Sequence, residues 1–152
     1  MSLINTKLRN YSTKVPADRT IAAIEKQLTK VGVRRIEKFF AEGGNCEGLM
    51  FQMEATPGQL VTLKLPARTE AIYKRFRAGV RGEISPIRQR GLREQAHRTA
   101  WRTLAELVQI HLDMMDLGQS TLLESFLSQT YNQATGATLY EAVVASELKL
   151  LN

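Results

Sequence analysis

Nine cations between positions 74 and 102 are the side chains of this chain with the clearest chemical potential, namely Lys74, Arg75, Arg77, Arg81, Arg88, Arg90, Arg93, Arg98 and Arg102. From 74 to 93, seven lysines and arginines face a single acid, Glu83. A solvated helix face pairs its charges at i,i+4, as Glu94 with Arg98 and Arg102 with Glu106 can do here, for about 0.2–0.5 kcal/mol each. Seven cations in twenty residues exceed what such pairing needs, so they point to an anionic partner. For nucleic acid, these side chains would neutralise phosphates and release counterions. Phe76 and Trp101 fall at core positions of their helices, which leaves Tyr73 as the one fair candidate to stack on a base, although a structural role suits it better.

Other chemistries lack their residues. His97 and His111 lie fourteen residues apart on one helical pattern, about 21 Å along the axis, so they do not share a metal. Cys46 is the only cysteine, which rules out an intramolecular disulfide and a Cys cluster for zinc. No H-E-x-x-H, G-x-S-x-G, G-x-x-x-x-G-K-[ST] or G-x-G-x-x-G string occurs. Glu42, Glu47 and Glu54 carry no nuclease-type spacing. The expectation is a protein without catalytic residues, cofactor or metal.

Charge is segregated along the chain. Residues 1–38 carry +6, residues 39–63 −3, residues 64–102 +8 and residues 103–152 −5, which together make the net +6. The acidic last third could pair with the chain's own basic face, meet the next subunit of an oligomer, or compete with nucleic acid. The first eleven residues lack the apolar run of a signal peptide, and nothing approaches the roughly 20 apolar residues of a membrane helix. A cytoplasmic setting in a host cell follows, with no membrane partner.

The elements that would position these cations form one α+β domain. Residues 1–14 read as a flexible or extended arm. Ile21, Ile24, Leu28 and Val31 make a helical stripe over 18–31, closed by Gly32. Val33–Phe40 is rich in β-formers. Leu49, Phe51, Met53 and Ala55 alternate with Met50, Gln52 and Glu54, Val61, Leu63 and Leu65 alternate with Leu60, Thr62 and Lys64, and Thr56-Pro57-Gly58 between them suits a type II turn. The result is a three-stranded antiparallel sheet. A short basic helix over 67–78 should bury Ala71, Ile72 and Phe76. Gly79 to Gly91 reads as a mobile basic loop. From Leu92 to Leu117 one long helix turns Ala96, Ala100, Leu104, Leu107, Val108, Met114 and Met115 to the core, with Trp101 and Leu112 at the edge of that arc. Capping-box patterns at Thr121–Glu124 and Thr138–Glu141 start two more helices, over 121–128 and 139–150.

The order helix, three strands, helix resembles the double-stranded-RNA-binding domain, with Arg93-Glu-Gln-Ala-His-Arg98 at its basic block and residues 67–91 as an insertion. The β-β-β-α core also resembles the single-strand annealing proteins of phage recombination. A resemblance that covers most of the chain rests on Tyr11-Ser-Thr-Lys-Val-Pro16, Thr20-Ile-Ala-Ala-Ile24, Lys64-Leu-Pro-Ala67, Gln95-Ala-His-Arg-Thr-Ala-Trp-Arg102 and Thr138-Leu-Tyr-Glu-Ala142. These strings resemble a family of small uncharacterised proteins of phages, prophages and environmental viruses. The resemblance implies a viral or mobile-element setting and brings no activity or site with it. The expected function is sequence-nonspecific nucleic-acid binding in DNA replication or recombination, by a protein that can form a homo-oligomer. The alternatives are an inhibitor or adaptor that binds a host defence protein, and a pocket that holds a small phosphate ligand.

Overall fold

The structure, a computed structural model, describes residues 7–152 and is α+β. Five helices accompany a three-stranded antiparallel sheet and a two-stranded one among these residues. The chain divides into two compact units, residues 7–24 with 67–108, and residues 25–66 with 109–152.

The first unit holds the start of α1 (Ala17–Lys30), all of α2 (Thr69–Ala78) and α3 (Pro86–Asp116) as far as Val108. Its core comprises Ala17, Thr20, Ile21, Ile24, Tyr73, Ala96, Thr99, Ala100, Trp101, Ala105 and Val108. The long helix begins six residues before the expected Leu92. Ser85 caps it, its hydroxyl accepting the Arg88 amide at 3.2 Å, and Pro86 takes the first helical position, where its missing N–H and preset φ cost nothing. Gly91 therefore lies inside the helix, at about 1 kcal/mol relative to alanine, and the expected loop shrinks to residues 79–85. The buried face of α3 is also rotated. Trp101, Ala105, Val108 and Leu112 are buried, whereas Leu107 is exposed and Leu104, Met114 and Met115 are half-buried.

On α2 the fully buried residue is Tyr73, while Ala71 is exposed and Ile72 and Phe76 are half-buried. The first six residues of the expected arm lie outside the described residues. The rest of it is not an extended lead-in, because residues 8–13 form turns fastened to α3. Gln95 donates to the carbonyls of Tyr11 (3.0 Å) and Thr13 (2.9 Å), and Thr99 donates to that of Asn10 (2.9 Å).

In the second unit α1 ends in a Schellman motif. The Val33 amide bonds the Leu28 carbonyl and the Gly32 amide that of Thr29, with Gly32 at φ 97°. Val31 lies past the last helical residue and is exposed. The sheet follows as β1 (Ile36–Phe40), β2 (Cys46–Thr56) and β3 (Gln59–Pro66), in the order β1-β2-β3. β1 starts three residues later than the expected Val33. The β2–β3 hairpin turns at Pro57-Gly58, with Gly58 at φ 79° as a type II turn requires. The register pairs Phe51 with Leu63 and Leu49 with Leu65, and all four are buried on one face.

α4 (Leu122–Phe126) carries both arms of the Thr121–Glu124 capping box. Two-residue strands β4 (Tyr131–Asn132) and β5 (Ala137–Thr138) then pair, an element too short to leave a period-2 signal in the sequence. α5 (Leu139–Ala145) stops well before the expected 150. Glu147 and Leu148 adopt φ of 54° and 66°, which end the helix although both are good helix formers.

Candidate functional site

All nine sequence-selected cations lie in the first unit, on α2, α3 and the loop between them. The unit boundary is also a charge boundary. The first unit carries fourteen basic and five acidic side chains, a net +9, and the second seven basic and ten acidic, a net −3.

Within that excess the nine separate by what they touch. Arg77 pins the α2–α3 loop, its two terminal nitrogens donating to the carbonyls of Val80 (3.1 Å) and Gly82 (2.7 Å). Arg93 pairs with Glu70 at 2.7 Å and lays its guanidinium 3.8 Å from the centre of the Tyr73 ring. Arg98 donates to the Thr13 carbonyl at 3.4 Å and to the Gln95 side chain, so it holds the N-terminal turns rather than pairing with Glu94. Arg102 lies 4.0 Å from Glu106, the expected i,i+4 partner. Arg9 also binds Glu106 and is the main reason that carboxyl titrates below its ordinary range. These four arginines of the nine serve the unit's own structure.

The rest form a more outward set. Lys74, Arg81, Arg88 and Arg90 are exposed and their side chains make no hydrogen bond or ion pair among the described residues, and Arg75 is exposed as well. Arg75 sits in the last turn of α2, where a cation complements the helix dipole. Arg88 and Arg90 are in the opposite position. They stand at the positive end of α3, whose first turn contains no acid. Arg88, in the first turn, opposes the dipole by about 0.3–1 kcal/mol, and Arg90, just beyond that turn, by less. Helix stability therefore does not account for them.

Tyr73 is 7 % exposed and covered by Arg93, so it is not a stacking platform. A helical stripe through Ala71, Ile72 and Phe76 would turn position 73 outward, and the face that packs is instead the one carrying Tyr73. Gln95 and Arg77, which organise the N-terminal turns and the loop, have no local signature. Ser85-Pro86 does carry a readable helix start.

Two clefts in the second unit, one lined by Arg35, Glu37, Met50, Gln52 and Thr62 and the other by Leu60, Thr62, Tyr131, Asn132 and Ala142, contain none of the nine cations. The exposed cations lie on α2, the loop and α3, outside both clefts. Among the described residues no His, Cys, Asp and Glu side chains group as metal ligands, and no helix is long and apolar enough to cross a membrane.

Each histidine belongs to one unit. His97 shares a hydrogen bond with Thr69 at 3.3 Å and meets the Trp101 ring edge-on. His111 meets Phe126 edge-on, with ring centres 4.9 Å apart, and its Nδ1 is buried without a partner among the described residues. Burial lowers the pKa of both, partly opposed at His97 by Asp18. In the unfolded chain both protonate near the ordinary histidine value of about 6.5. The unfolded state therefore binds more protons as pH falls through that value, and stability drops. Urea midpoints taken at about pH 7.5 and about pH 5.5 are expected to fall on acidification, and the fall is expected to shrink in His111→Gln. A midpoint that rises or stays level on acidification contradicts this.

No family model matches this chain, and no curated protein or solved structure matches it.

Proposed function

We propose that this chain is a non-enzymatic, sequence-nonspecific nucleic-acid-binding protein, an accessory to DNA replication or recombination in a phage or mobile element. The observation that carries the reading is the unbalanced charge of the first unit, above all Arg88 and Arg90, which sit at a helix end that disfavours them. Phosphates would relieve the mutual repulsion of these cations and complete the positive end of α3. The contacting set is Lys74, Arg75, Arg81, Arg88 and Arg90. Arg77, Arg93, Arg98 and Arg102 are engaged by partners within the unit. None of the five reads bases, which is why the binding is nonspecific.

The test is fluorescence anisotropy with labelled single- and double-stranded DNA and RNA over a range of salt. Log affinity should fall linearly with log salt, with a slope near −0.7 to −0.9 per phosphate contacted. Changing the five cations to alanine should flatten the slope and weaken binding by roughly a hundredfold at low salt. The double variant Arg88→Glu/Arg90→Glu separates function from stability. It should lose binding without a fall in melting temperature, because Arg88→Glu gains about 0.3–1 kcal/mol from the helix dipole, which offsets the roughly 0.2–0.5 kcal/mol that Arg90→Glu costs against Glu94 at i,i+4. Binding that is absent at low salt, or that survives in the double variant, defeats the reading and turns attention to a host protein partner.

A further inference from the structure

The last third of α3 presents an unusual face for a helix whose other side is core. Ile110, Asp113 and Met114, with Leu117 one residue past the helix end, fall within an arc of about 100°. Ile110 is 53 % exposed and Leu117 70 % exposed. Asp113 and Asp116 are exposed and have no cation partner among the described residues, although Asp113 accepts a hydrogen bond from Gln109 at 2.7 Å. Scattered exposed apolar residues need no explanation, but an apolar stripe edged by unpaired acids on one helix face suits a partner that is both apolar and basic.

The start of the same helix has that chemistry. Ile87 is 80 % exposed and is flanked by Arg88 and Arg90, both free of any ion pair among the described residues. We propose that the basic, apolar start of α3 docks on the acidic, apolar end of α3 in a second copy of this chain, which joins copies head to tail. Ile87 would cover the Ile110–Leu117 stripe while Arg88 and Arg90 face Asp113 and Asp116. A pairing of like surfaces is disfavoured, because stripe on stripe sets four aspartates together and start on start sets four arginines together. Each copy carries a net +6, so the attraction comes from the unlike local charges of the two surfaces at contact rather than from long range. The contact is small beside the roughly 1,200 Å² of a stable interface, so the association is weak, concentration-dependent and sensitive to salt. Made once per pair the contact is heterologous and adds copies in rings or filaments, and made reciprocally about a two-fold axis it closes at two. The same arginines serve the proposed nucleic-acid surface, so phosphates and the second copy compete for them. The self-association itself does not require that nucleic acid binds.

Sedimentation velocity on nuclease-treated protein tests the idea. The natural chain should sediment as a mixture of species at low salt and as a single light species at high salt. Arg88→Glu/Arg90→Glu and Asp113→Arg/Asp116→Arg should each remain light at low salt, about tenfold or more weaker in association. Mixing the two variants should restore the larger species, because each then offers an end the other can bind. Ile110→Ser/Leu117→Ser, which leaves every charge in place, should also weaken association, and far-UV circular dichroism shows whether each variant is folded. A natural chain that stays light at low salt overturns the proposal. So does association that persists in a folded single-end variant, or a mixture of variants that does not recover it.

Discussion

Replacing Trp101 by alanine is expected to destabilise the first unit by about 3–5 kcal/mol, the range found for large aromatic side chains deleted from a core. Trp101 is the only tryptophan and is completely buried. Its neighbours on the inner face of α3 are small. Buried Ala100 precedes it, buried Ala105 lies about one turn later, and buried Ala96 lies about a turn and a half earlier. A helix face of alanines supplies little apolar volume by itself, so the indole accounts for much of what this part of α3 buries. Its removal also takes away the edge-on partner of the His97 ring. Circular dichroism melts suit the measurement, since the variant loses its fluorescent reporter. For a chain of about 150 residues the expected loss corresponds to a fall of roughly 10 °C in melting temperature. A fall of less than about 1 kcal/mol would mean that the cavity collapses or that Trp101 is not the centre of this core.

Gly48→Ala is the second large effect, and it falls in the other unit. Gly48 lies in β2 opposite Phe39 of β1 and Pro66 of β3. A Cβ added there would stand 2.3 Å from Cζ of Phe39 and 2.7 Å from the carbonyl oxygen of Leu65. The phenyl ring could move, but the Leu65 carbonyl belongs to the backbone of β3 and the sheet would have to spread. The expected cost is about 3 kcal/mol, the upper part of the range for overpacking, even though alanine is otherwise the gentlest replacement for glycine. Displacing Phe39 also separates it from Lys64, whose ammonium lies 4.9 Å from the ring centre. Trp101 is retained in this variant, so comparing its fluorescence with circular dichroism reports whether the first unit melts with the second. An unchanged urea midpoint would contradict the packing described for this sheet.

Elements that repeat a local pattern were legible from the amino acids. The stripe of Ile21, Ile24 and Leu28, the alternation of Leu49, Phe51 and Met53 against Leu63 and Leu65, the Pro57-Gly58 turn and the Thr121–Glu124 cap each depend on residues within a few positions of one another. Periodicity and turn chemistry carry that information directly. The concentration of cations before and along the long helix is likewise a property of composition, and their common placement in one unit followed from their closeness in the chain.

Tertiary structure decided which residues filled those roles. Trp101 sits at the edge of a hydrophobic arc calculated from α3 alone, yet it is buried while Leu107 is exposed, because neighbours from other segments select the face that packs. Tyr73 changed from a candidate base-stacking residue to a buried ring under Arg93 for the same reason. Gln95 fastens residues 11 and 13 across more than eighty positions, and no local window contains such a bond. Among nine cations alike in type, those contacts separate Arg77, Arg93, Arg98 and Arg102 from Lys74, Arg81, Arg88 and Arg90, which make no such contact among the described residues. Charge and periodicity are written along the chain, but the partner of each side chain depends on residues brought to it from elsewhere.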